Sequence, residues 1–67
     1  MLPLTITQRN SLDLMLRQME TGDVKELFPK FDTLFYECRA RGYDVSDYTM
    51  MLTVYSMRYA RKMNEKR

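Results

Sequence analysis

Residues 23–42 read DVKELFPKFDTLFYECRARG, and the periodicity of this stretch decides the fold class. Val24, Leu27, Phe28, Phe31, Leu34, Phe35 and Cys38 recur at steps of three and four, so they fall within roughly 120° of arc at the helical step of about 100° per residue. A half-buried strand would alternate apolar and polar positions, and this segment does not. Three phenylalanines on one stripe make it the main supplier of buried area. Asp23 is a suitable N-cap, whereas Pro29 has no N–H and its ring opposes the carbonyl of Lys25. The spacing therefore predicts a helix over 24–41 with a break near 29. Either a short turn from Asp23 to Phe28 precedes a longer helix, or one helix is kinked at the proline. Arg39 and Arg41 suit a helix C-terminus, and Gly42 suits the left-handed cap that follows one.

On the N-terminal side, Gly22 closes a first helix predicted over 5–21. Thr5 and Gln8 have the spacing of a capping box, and Leu12, Met15, Leu16 and Met19 form its stripe. Asp13 and Arg17 stand at i,i+4, suited to an ion pair, while Ile6 and Leu14 lie off the stripe. On the C-terminal side, a third helix is predicted over 46–63, capped by Asp44 or Ser46, with 64–67 as a frayed tail. Its residues Tyr48, Met50, Met51, Leu52, Val54, Tyr55 and Met57 cover well over half of the circumference and leave a narrow band of Thr49, Thr53 and Ser56. A helix that apolar needs cover on two sides. The chain is thus expected to be a single all-α domain of three helices, dimeric through the third.

The 67 residues are 45% hydrophobic, and a chain so short has a marginal core unless a staple or a second subunit supplements it. Cys38 is the one cysteine and histidine is absent, which leaves no intrachain disulfide and no usual zinc ligand set. General acid–base and nucleophilic chemistry near neutral pH usually recruits histidine in a concave site. With Gly22 and Gly42 the only glycines, a phosphate-cradling loop is also excluded. No catalytic role, cofactor or small-molecule substrate is therefore expected. Cys38, on the phenylalanine stripe, reads as a buried and inert thiol. The longest stretch without a charge, Tyr48 to Met57, is ten residues, far short of the ~20 that a bilayer requires. A cytoplasmic location is the expectation.

Seven methionines are present, and methionine supplies flexible, polarizable contacts at adaptable surfaces. The net charge of +2 hides an asymmetry: residues 1–57 carry six basic and eight acidic side chains, residues 58–67 five basic and one acidic. Two candidate surfaces follow. Tyr48, Met50, Met51, Val54, Tyr55 and Met57 form a candidate partner or dimer interface, using methionine and tyrosine. Arg58, Arg61, Lys62, Lys66 and Arg67 form a basic patch suited to an acidic protein rim or, alternatively, to phosphates.

The segment around Gly42 also admits a helix-turn-helix reading through Cys38, Val45, Tyr48 and Met51. Its recognition helix would begin with Asp44 and Asp47, setting carboxylates against phosphates. The run Tyr43, Asp44, Val45, Ser46, Asp47, followed by Tyr55 and Arg61, is similar to a stretch of the Hha and YmoA family of small helical nucleoid-associated modulators. The similarity covers under a third of the chain. The middle segment is too long for that family, and Tyr59 and Ala60 replace its acidic and histidine residues, so the chain is not assigned to it. The expected function is that of a non-catalytic regulator, adaptor or inhibitor acting by contact with another protein or itself. The alternative is a small nucleic-acid-binding or nucleoid-associated regulator using the basic end.

Overall fold

The computed structural model describes residues 1–65. They form three α-helices, α1 (Ile6–Glu20), α2 (Val24–Ala40) and α3 (Ser46–Asn64), with no strand beyond one isolated bridge among the described residues. The predicted tail splits: Asn64 is the last helical residue and Glu65 the C-cap, while Lys66 and Arg67 lie outside the described residues.

Helix α2 is the middle element and packs against both α1 and α3, which meet each other far less. Its stripe explains that placement: Val24, Phe28, Phe31, Phe35 and Cys38 are buried, and Leu27 and Leu34 pack at the margin of the same core. α1 contributes Leu12 and Met19 with Met15 and Leu16 beside them, and α3 contributes Tyr48 and Tyr55 with Met51, Leu52 and Tyr59. The Phe28 and Tyr59 rings lie 5.2 Å apart. Ile6 and Leu14 are exposed, as their positions off the stripe imply.

Pro29 lies inside one uninterrupted α2 helix, so the chain does not stop and restart there. The proline occupies an exposed position near the start of the helix, where the missing N–H removes a bond from a turn that solvent can reach. One turn later, the Thr33 hydroxyl donates to the Pro29 carbonyl at 2.9 Å. Asp23 precedes the helix as expected, yet its side chain makes no capping bond.

The capping box of α1 is present in full: Gln8 N–H donates to Thr5 Oγ1 at 3.1 Å and Thr5 N–H to Gln8 Oε1 at 2.8 Å. Two donors that the helix leaves unpaired are thereby satisfied. α2 ends in a Schellman turn. Gly42, at φ +89°, donates to the Arg39 carbonyl and Tyr43 to the Cys38 carbonyl, both at 3.0 Å, a geometry that favours glycine at the left-handed position. α3 then starts at Ser46, with Val45 as the formal cap and Asp44 doing the capping chemistry: its Oδ1 accepts from Ser46 N–H at 3.0 Å. Hydrogen bonds from the Ser46 hydroxyl and amide hold the Asp44 carboxyl below its ordinary range.

One contact has no precursor in the side-chain pattern. Leu2 runs beside the α2–α3 turn, donating its N–H to Gly42 O at 2.9 Å and accepting from Asp44 N–H at 2.7 Å. The N-terminal segment is thereby pinned across the turn, with Leu4 and Val45 buried.

Candidate interaction face on the third helix

The direction of the core divides the residues predicted for the interface. Tyr48 and Tyr55 are buried within the chain's own core, at 4% and 3% exposure, whereas Met50 and Met57 stand 76% and 63% exposed. Met51 and Val54 are half-buried on the flank. At about 100° per residue, Met50 and Met57 point within about 20° of each other and opposite to Tyr48 and Tyr55. They are one heptad apart.

Tyr48 is fixed from the α1 side. Its hydroxyl donates to Asp13 Oδ1 at 2.7 Å, and the Arg9 guanidinium sits 5.8 Å from its ring centre while reaching Asp47 Oδ2 at 3.5 Å. Burial, then the hydrogen bond and charge of Asp13, push the phenol up to about 12, with Arg9 opposing. Asp13 serves Tyr48, and no Asp13–Arg17 ion pair forms among the described residues. Sequence reasoning missed this tie because its members belong to different helices.

The band of Thr49, Thr53 and Ser56 is less polar than its composition. The three hydroxyls donate to the Val45, Thr49 and Thr53 carbonyls at 3.3, 3.2 and 2.8 Å, so each spends its donor on the backbone of its own helix. With that band included, an arc of about 160° on α3 carries no charged residue. It holds the exposed Met50, Thr53, Met57, Ala60 and Asn64, and the charged side chains Asp47, Arg58, Arg61, Lys62 and Glu65 all project from the remaining arc, Arg61 bordering Met50. One edge of this surface descends into a groove of about 560 Å³ between α2 and α3, where Phe35, Tyr36, Val45 and Leu52 line the wall beside Thr49 and Thr53.

The basic residues are gathered at the opposite end. The Arg58 guanidinium lies 4.9 Å over the Tyr55 ring, and Lys62 approaches Glu65 at 4.0 Å. Arg58, Arg61, Lys62 and Glu65 border a shallow recess of about 310 Å³ next to Met19 and Val24. Lys66 and Arg67, the rest of the predicted patch, lie outside the described residues. Cys38 is buried at 2% exposure, and burial raises its thiol above the ordinary value. Among the described residues there is no cluster of histidine, cysteine and carboxylate side chains that could hold a metal ion, and no helix long and apolar enough to cross a membrane.

Fold and surface together define a small three-helix all-α domain whose third helix presents an uncovered, uncharged, methionine-bearing side. Comparison of the chain with protein-family models, with curated proteins and with solved structures gives no match.

Proposed function

We propose that the chain is a non-catalytic regulatory or adaptor module acting by protein–protein contact through the outward side of α3, and that it associates with itself through that side. The carrying observation is the pair Met50 and Met57, 76% and 63% exposed on the face opposite the core. Large apolar side chains arranged along a single face, not scattered, mark an interaction surface. Methionine also fits a contact that must adapt, being unbranched and polarizable. The half-buried Met51 and Val54 extend the contact, and Arg58, Arg61 and Lys62 lie where they favour an acidic rim on a partner.

Sedimentation or light scattering over a concentration series tests this reading. The wild-type chain is expected to gain mass with concentration, and Met50→Lys with Met57→Lys to weaken association by at least about tenfold, since two lysine charges from either chain then enter each seam. Both side chains are exposed, so the helical circular dichroism should be unchanged. Duplex DNA binding with a steep salt dependence, undiminished in the double variant, would instead move the function to the basic end.

A further inference from the structure

We infer that the partner on the α3 face is a second copy of this chain, docked antiparallel, with the register set by Met50 against Met57 and by Asp47 against Arg61 of the other copy. The inference rests on the reading of the α3 face as a self-association surface and adds its geometry.

Asp47, Val54 and Arg61 are separated by seven residues each, so they form one row along the same flank of the exposed centre line that carries Met50, Met57 and Asn64. In an antiparallel pair related by a two-fold axis, a residue on one flank faces the same flank of the copy, at an equal distance on the other side of the axis. Placing the axis between Met50 and Met57 sets each of these methionines against the other in the facing helix. That same axis passes within about one residue of Val54 and so sets Asp47 opposite Arg61, twice by symmetry. One placement satisfies both the apolar and the charged row.

Other arrangements lack this agreement. In a parallel pair, the flank bearing Asp47 and Arg61 faces the opposite flank of the copy, where Thr49, Thr53, Ser56 and Ala60 offer no charge. Contact through the reverse arc of α3 is blocked, because that arc packs in the core. Both side chains, Asp47 and Arg61, are also accessible, although Asp47 already meets Arg9 within its own chain. Asp47 has 70% of its side chain exposed and engages Arg9 through Oδ2 alone, and the Arg61 side chain has no ion pair or side-chain hydrogen bond among the described residues. Charge rows of this kind set partner orientation in paired helices more than they set affinity.

A charge swap tests the register. Asp47→Arg and Arg61→Asp should each weaken self-association roughly fivefold or more, as like charges then face each other twice. The combination of both should restore it to within about twofold of wild type. Thr53→Cys, near the axis, should form an intermolecular disulfide on oxidation in a chain that also carries Cys38→Ser. Failure of the double swap to rescue a chain that still dimerises would overturn the register while leaving the contact face standing. A wild-type chain that stays monomeric to about 1 mM yet captures another protein through Met50 and Met57 would overturn the self-partner and keep the face. Loss of neither association nor capture in the Met50→Lys, Met57→Lys chain would remove both.

Discussion

Replacing Phe31 by alanine should destabilise the chain severely. Phe31 is completely buried in the middle of α2, the helix that both neighbours pack against, so its ring belongs to the whole core and not to one pairwise contact. Truncating a buried phenylalanine to alanine costs about 3–5 kcal/mol through lost transfer energy and the cavity left behind. A chain of this length has only about 3–10 kcal/mol of stability in total at ordinary values per residue. The loss therefore consumes between about a third and all of the margin. Phe31→Leu, which keeps much of the volume, should cost about 1–2 kcal/mol and stay folded. Urea titration followed by circular dichroism separates the cases, and an alanine variant within about 1 kcal/mol of wild type would contradict the placement of Phe31 at the centre.

The second large effect is alkaline. Tyr48 is buried and pushed up to about 12 from an ordinary value of 10, so between those values the folded chain holds a proton that the unfolded chain has released. Stability is accordingly intact below the ordinary value and falls as pH climbs through the folded one, by a maximum of about 3 kcal/mol from this group. In Tyr48→Phe the phenol is gone, and with it this part of the pH dependence. The phenylalanine variant should be less stable near neutral pH by about 1–2 kcal/mol, because the hydrogen bond to Asp13 is lost. Its urea midpoint should then change less than wild type between about pH 9 and pH 11.5. Parallel profiles for the two proteins would show that Tyr48 does not carry the effect. Other groups titrate in the same range, which makes the difference between the two profiles the meaningful quantity.

The fold was legible in sequence wherever a local rule sufficed. Seven stripe residues announced α2, Thr5 and Gln8 announced the start of α1, and Gly42 announced the end of α2, each through interactions spanning a turn or less. The site was legible only in part. Apolar character singled out α3, but it could not distinguish Tyr48 and Tyr55, which fill the core, from Met50 and Met57, which do not. That distinction depends on where α2 lies, a tertiary fact. Asp13 illustrates the same limit: the i,i+4 spacing pointed to Arg17, and the hydroxyl of a tyrosine on another helix won the carboxylate. Pro29 shows the opposite lesson, since a residue that disfavours helices in general is tolerated where the turn it disturbs faces solvent.

The bridge between Leu2 and the α2–α3 turn gives the molecule a property that none of its helices has alone. Two backbone bonds, to Gly42 and from Asp44, join the start of the chain to a turn beyond its second helix, so the α1–α2 hairpin is closed into a ring without a covalent link. Opening of the segment around Leu2 must then free the Gly42 carbonyl and the Asp44 amide at the turn that precedes α3. Local opening at the two places becomes a single cooperative event. The amides of Leu2 and Asp44, remote in sequence, belong to one exchange unit, and a disturbance of the segment before α1 reaches the root of the helix that carries Met50 and Met57.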